Sequence, residues 1–183
     1  VLVMGGSGGA RSLNVAVPAG LAEARRQGCD LRVIHLAGSR DEASVSAAYS
    51  DLGLPATVHG FTHHMAELYR QTDLAISRSG AASCAELSAF GIPSLLVPYP
   101  HAVGDHQAAN ARCLERAGAA DVVADADLTS SWLAAYLVGR LGDAERLRAM
   151  SRAARGRLRA SGADPLADLV LACGASNGRP AAG

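Results

Sequence analysis

Residues 76–111 read ISRSGAASCAELSAFGIPSLLVPYPHAVGDHQAANA. The stretch opens on the end of a short apolar strand, Leu74–Ser77, turns at Ser79-Gly80 and enters a helical segment carrying Glu86. A second apolar strand, Ser94–Pro98, follows, and Asp105-His106-Gln107 opens another helix. Two consecutive strand ends thus deliver polar side chains and helix N-termini to one edge of a sheet. In doubly wound folds that edge is where an anionic, hydroxyl-rich ligand binds.

Outward from this stretch the alternation continues. Strands are expected at Val1–Met4, Leu31–Leu36, Thr57–His59, Leu74–Ser77, Ser94–Pro98 and Asp121–Val123. All are short, apolar and bounded by Gly, Pro or polar turns, as strands buried on both faces are. Helices are expected at Ser12–Arg26, Asp41–Leu52, His63–Gln71, Ala82–Phe90, Asp105–Ala117, Thr129–Leu141, Asp143–Arg159 and Ala163–Cys173. Within the helix from Asp105, Ala108, Ala109, Cys113 and Leu114 fall near helical spacing, and Gly118 sits where a C-terminal cap belongs. This series of β-α units predicts an α/β fold: a six-stranded parallel sheet, Rossmann-like in order, with helices on both faces. One domain is expected over residues 1–173, followed by a disordered tail at 174–183.

Composition narrows the chemistry. The 183 residues are 49% hydrophobic with a formal net charge of +0, so bulk charge does not point to nucleic acid. All 17 basic residues are Arg, which removes a Walker-A lysine, a Schiff-base lysine and a Ser-Lys pair from consideration. Cys29, Cys84, Cys113 and Cys173 form no C-x-x-C pair and are expected as reduced thiols. No apolar run approaches the roughly 20 residues that cross a bilayer, and no signal peptide is expected. The chain begins without Met, directly on a strand, as a piece of a longer protein would.

The loop GGSGGAR, Gly5 to Arg11, lies between the first strand and the first helix. Its glycines let backbone approach a ligand, and the helix start offers unpaired N–H groups and a positive dipole end. Ser7 can donate its hydroxyl to a phosphate oxygen. A tight strand–helix turn with no ligand remains the plain alternative. The loop is neither a dinucleotide fingerprint, which would need Gly in place of Arg11, nor a P-loop. It does match the nucleophile elbow G-x-S-x-G at Gly5–Gly9, with His106 as a later base, but the oxyanion loop of that fold lies upstream, where this chain offers none.

Glu86, in the second helical turn, can accept two hydrogen bonds from a ribose diol; an exposed helix carboxylate is the alternative. Asp105 suits an N-cap, and His106 and Gln107 then project from the first turn toward the edge of Gly5–Gly9. His63, His64 and His101 lack metal-ligand spacing. Asp125-Ala126-Asp127 precedes a helix, where Asp and Thr129 read as ordinary caps rather than a metal site. The Arg-rich segment Asp143–Arg159 reads as a solvated amphipathic helix with Leu147, Met150, Ala154 and Leu158 inward, the other reading being contact with anionic lipid or a pyrophosphate.

Taken together, GGSGGAR with Asn14, the GFTHHMAELY segment (Gly60–Tyr69), DLAISRSGAASCAELSAFGIPSLLVPYP and DHQAANA resemble the MurG family. These are the glycosyltransferase family 28 enzymes that add N-acetylglucosamine (GlcNAc) from UDP-GlcNAc to lipid I, undecaprenyl-pyrophosphoryl-MurNAc-pentapeptide, giving lipid II for peptidoglycan. The resemblance covers Val1–Val123 strongly and the later helices weakly. It implies the C-terminal, donor-binding half of a two-domain GT-B enzyme, inverting and needing no metal cofactor. It further implies that Ser7, flanked by Gly6 and Gly8, contacts a donor phosphate and that the backbone at Thr62 holds the uracil edge. Glu86 would take the ribose hydroxyls. Arg78, Gly80 and Ala81 would lie by the diphosphate and sugar, while His106 and Gln107 would read the GlcNAc hydroxyls. The general base and the lipid I pocket would belong to an N-terminal domain, and the enzyme would sit peripherally on the cytoplasmic face of the plasma membrane. Two departures stand out: Gly8 where the family usually has Gln, and Ser83 where it usually has Thr. The donor-binding subunit of a split N-acetylglucosaminyltransferase is the alternative, with a UDP-GlcNAc 2-epimerase further off.

Overall fold

The computed structural model describes residues 1–6 and 8–156. Ser7, the expected helix at 163–173 and the expected tail at 174–183 lie outside the described residues. Six short strands carry the fold: β1 (Leu2–Met4), β2 (Val33–Leu36), β3 (Ala56–His59), β4 (Ala75–Ser77), β5 (Ser94–Leu96) and β6 (Ala120–Val122). They alternate with α1 (Arg11–Arg26), α2 (Glu42–Asp51), α3 (Met65–Arg70), α4 (Ala81–Phe90) and α5 (His106–Arg116). α6 (Ser130–Leu141) and α7 (Ala144–Gly156) follow β6. Each expected strand, and each expected helix among the described residues, is present within a few residues of its expected ends.

The strands form one sheet in the order β3-β2-β1-β4-β5-β6, every pair parallel. The order reverses between β1 and β4, where Met4 stands opposite Ser77. That reversal is the topological switch point, and it opens a crevice beyond the carboxyl ends of two adjacent strands. One apolar layer packs Leu13, Val17, Leu21, Tyr49, Leu133 and Leu137 against one sheet face; the other packs Leu68, Tyr69, Leu87, Leu114 and Ala154 against the opposite face. Burial of this surface contributes roughly 25 cal/mol per Å².

Three local expectations need correction. In α5 the buried residues are Ala111 and Leu114, while Ala109, which shares helical spacing with Cys113, is exposed: the face that packs inward runs through Ala111 and Leu114 instead. Asp105 does occupy the N-cap position, but at φ 57° its carboxylate accepts no backbone hydrogen bond. Of the supposed caps before α6 only Thr129 acts as one, accepting from the Trp132 N–H at 3.2 Å; Asp125 is engaged elsewhere. Gly118 does end α5, at φ 73° with its N–H on the Glu115 carbonyl. α7 buries Met150 and Ala154 as its pattern requires, with Leu147 partly covered; Leu158 is outside the described residues.

Candidate donor-binding crevice

The glycine-rich loop is shaped by what lies behind it. Gly9 has φ 75°, and a Cβ there would run into the Ala37 carbonyl oxygen, so the turn excludes any side chain at this position. Its N–H donates to the Gly6 carbonyl at 3.0 Å. Ala10, the N-cap of α1, has no side chain that could accept from the first-turn N–H groups of the helix.

Asn14, one turn into α1, clamps this arrangement from below. Its Nδ2 donates to the Ala37 carbonyl at 2.9 Å and to Asp41 Oδ2 at 2.8 Å. Both amide hydrogens are then engaged, and Asn14 Oδ1, 3.1 Å from His35 Nε2, must accept. His35 is therefore the neutral Nε2–H tautomer, and its Nδ1 accepts from the Tyr49 hydroxyl at 2.9 Å. Burial drives the His35 pKa down to about 4 and raises that of Tyr49. This chain of bonds fixes the β2–α2 turn against the glycine loop.

Arg78 follows β4 at the switch point, its backbone N–H on the Met4 carbonyl at 3.2 Å. The side chain is buried, and both of its terminal nitrogens are engaged. Nη1 donates to the carbonyls of Val97 (3.1 Å) and Pro98 (3.2 Å) and pairs with Asp125 Oδ1 at 2.6 Å. Nη2 donates to Ser12 Oγ at 2.8 Å, and Ser12 Oγ in turn donates to Asp125 Oδ1 at 2.6 Å. The guanidinium also lies 5.5 Å from the Tyr99 ring centroid. One arginine thus ties together β4, the β5–α5 loop, α1 and the turn after β6.

These groups line a crevice of about 480 Å³. Gly5, Gly9, Ala10 and Arg11 form one side, Arg78, Ser12 and Asp125 another, and Tyr99, His101 and Gln107 the third. Gln107 is oriented by its neighbours: Oε1 accepts from the Tyr99 N–H at 3.0 Å, which leaves the Nε2 amide hydrogens as donors. The start of α5 is held by Ser79 Oγ, which donates to the Gln107 carbonyl at 2.8 Å, and by Asn110 Nδ2, which donates to the Ser79 carbonyl at 3.0 Å.

Of the residues expected from sequence, Arg78 and Gln107 meet in this crevice, with Gly5 and Gly9 flanking Gly6 and Gly8. Gly80 and Ala81 form the uncapped start of α4, outside the crevice lining. Glu86 is exposed on α4, where its Oε2 accepts from the Tyr69 hydroxyl at 2.7 Å. His106 is exposed, and its Nδ1 donates to the Val103 carbonyl at 2.6 Å. Thr62 follows β3, its Oγ1 accepting from the His64 N–H at 3.0 Å. Sequence reasoning missed Ser12, Tyr99, His101 and Asp125 as crevice residues. Only Arg78 carried a signal for Asp125: a charge inside an apolar run requires a counter-ion. Among the described residues no group of three or more His, Cys, Asp or Glu side chains could hold a metal ion. No described helix is long and apolar enough to cross a membrane.

The architecture is a doubly wound α/β domain of the kind that holds nucleotides at its switch point. Comparison with known proteins narrows this. Residues 1–167 match the model of the glycosyltransferase family 28 C-terminal domain, and the chain belongs to that family. It is 40% identical over 183 residues to a UDP-N-acetylglucosamine–N-acetylmuramyl-(pentapeptide) pyrophosphoryl-undecaprenol N-acetylglucosamine transferase of Xanthomonas euvesicatoria, covering 100% of this chain and 42% of that protein. It is 37% identical over 172 residues to the enzyme of the same name from Geobacter sulfurreducens, covering 94% of this chain and 47% of that protein. Crystalline MurG of Acinetobacter baumannii superposes with a TM-score of 0.82 at 31% identity, over 93% of this chain and 51% of that one. The chain therefore spans about half the length, or less, of these relatives.

Proposed function

We propose that this chain is the donor-binding half of an N-acetylglucosaminyltransferase that moves GlcNAc from UDP-GlcNAc to lipid I. One observation carries the reading: the glycine loop, Arg78 and Gln107 converge on a single crevice at the switch point. The names of two relatives that align over 100% and 94% of this chain give the donor and acceptor.

In this reading the diphosphate rests against the start of α1, where Ala10 leaves the first-turn N–H groups without a capping side chain. The helix dipole alone favours an anion there by roughly 0.3–2 kcal/mol. Ser7 donates its hydroxyl to a phosphate oxygen. Gln107 Nε2 and His106 face the sugar hydroxyls, the Thr62 backbone the uracil and Glu86 the ribose diol. The acceptor 4-hydroxyl attacks C1 of GlcNAc, the C1–O bond breaks and UDP leaves. Negative charge grows on the β-phosphate at that moment, and fixed N–H dipoles near Gly9 and at the α4 start after Gly80 stabilise it without reorganising. The general base and the lipid acceptor pocket belong to an N-terminal domain, and the assembled enzyme works peripherally at the cytoplasmic membrane face.

Isothermal titration of the chain with UDP tests the donor site. Heat of binding is expected at or below millimolar nucleotide, and none at that concentration sinks the reading. The second reading, a free-standing donor subunit that works with a separate partner, differs in one respect. A genomic reading frame that continues upstream of Val1 into a second domain eliminates it.

A further inference from the structure

We infer that Asp125 is a charge-balancing residue of the crevice: it neutralises Arg78 and so sets how tightly a diphosphate is held. The inference rests on the donor-site reading above and names a regulator of that same site.

Asp125, Arg78 and Ser12 form a closed triangle in the crevice wall. Arg78 Nη1 meets Asp125 Oδ1 at 2.6 Å, Arg78 Nη2 reaches Ser12 Oγ at 2.8 Å, and Ser12 Oγ donates back to Asp125 Oδ1 at 2.6 Å. The two charged side chains retain 9% and 21% of their exposure, so both are partly desolvated and both face the crevice. To an arriving diphosphate the pair presents no net charge. The carboxylate repels the phosphates, and it also holds the guanidinium whose attraction would otherwise dominate. Geometry adds to this. Arg78 already donates to two carbonyls, a hydroxyl and a carboxylate, so turning both of its terminal nitrogens onto a phosphate would break those bonds. Uncompensated attraction is left to the exposed Arg11 and the first turn of α1.

Such restraint suits a transferase that must release UDP after each turnover. Affinity shared by substrate and product does not lower the barrier, and it slows product release. A bare buried arginine in this wall would give just that kind of shared affinity.

The test is titration of the 183-residue chain and its variants with UDP, inorganic pyrophosphate and uridine. Asp125→Asn keeps an acceptor for Ser12 and Arg78 but removes the negative charge. It is expected to bind UDP and pyrophosphate about tenfold tighter, within the range of single-charge couplings, with uridine unchanged. The gain should shrink at high salt. Asp125→Glu, which keeps the charge, should bind UDP as the wild type does. The double variant Arg78→Gln/Asp125→Asn carries no buried charge that could prevent folding, and it should bind pyrophosphate within about threefold of wild type. UDP and uridine weakened together in Asp125→Asn, or unchanged pyrophosphate affinity, overturns the inference. Pyrophosphate binding lost in the double variant overturns it too, since Arg78 would then be a direct ligand. Absence of UDP heat from wild type and variants alike defeats the nucleotide reading instead, while the pyrophosphate arm still reports the charge balance.

Discussion

The helices that leave β1 to β5 start differently from the two described helices that follow β6. α6 and α7 are capped: Thr129 Oγ1 accepts from the Trp132 N–H at 3.2 Å, and Asp143 Oδ1 from the Arg146 N–H at 2.9 Å. α1 and α4 begin after Ala10 and Gly80, which have no acceptor to offer, and α5 after Asp105, whose backbone geometry turns its carboxylate away from the role. α2 and α3 also lack a side-chain cap; Asp41 is claimed by Asn14 instead. A cap contributes about 1 kcal/mol. The carboxyl rim forgoes that stabilisation and is held by buried polar struts: Arg78 with Asp125 and Ser12, and Asn14 with His35, Tyr49 and Asp41. The difference teaches where N–H groups are left open for something other than the chain itself.

The comparison breaks most visibly if a strut is removed. Arg78→Met leaves the partly buried Asp125 carboxylate without its cation, and stability should fall by about 3–5 kcal/mol. Chemical denaturation measures it. A loss under about 1 kcal/mol would mean that the rim does not depend on this pair.

The second strut is tested by acid. His35 is held neutral, with its pKa lowered to about 4 by burial against an ordinary value of 6.5. Between those values the unfolded chain binds a proton that the folded chain refuses. Stability contributed by His35 is therefore full above pH 6.5 and falls as the pH drops toward 4. The loss by pH 4.5 should be roughly 2–3 kcal/mol. Proton uptake on unfolding near pH 5.5 checks the sign. If the imidazole ring titrates in the folded protein with a pKa near 6.5, the assigned tautomer chain is wrong.

At the rim itself, Glu86→Ala should weaken UDP binding by about 1.5–3 kcal/mol through loss of charged hydrogen bonds to the ribose. Its effect on folding should be smaller, because Glu86 is exposed and its one described hydrogen bond is to Tyr69. Equal UDP affinity in both proteins would clear Glu86 of the ribose role.

The strands and helices were legible because each is short, apolar and closed by a Gly, Pro or polar turn, and because six such units in series permit little besides a parallel sheet. The glycine loop and the start of α5 were legible for the same local reason. Asp125 was not. Its partner Arg78 follows β4 while Asp125 follows β6, and nothing near Asp125 in sequence separates an ion-pair partner from a helix cap. The role of His35 was hidden in the same way. A histidine within an apolar strand announces burial, but Asn14 and Tyr49 meet it only after α1 and α2 pack on one sheet face. In α5, spacing alone groups apolar positions such as Ala109 and Cys113 without saying which group turns inward, and it is Ala111 and Leu114 that do.

The smallest effects address the caps directly. Thr129→Ala should lower stability by about 1 kcal/mol, since the Trp132 N–H loses its acceptor. The reverse experiment installs a cap where the rim has none. At Gly80 a Cβ would meet nothing within 4 Å, so Gly80→Ser fits without strain. With Gly already a tolerated N-cap, the serine should add only a few tenths of a kcal/mol to stability. Its hydroxyl would then accept from an α4 first-turn N–H that the proposed donor site leaves for the growing phosphate charge. UDP binding or transfer in the assembled enzyme should weaken as the fold becomes slightly more stable. If stability and affinity rise together, the open start of α4 has no part in holding the donor.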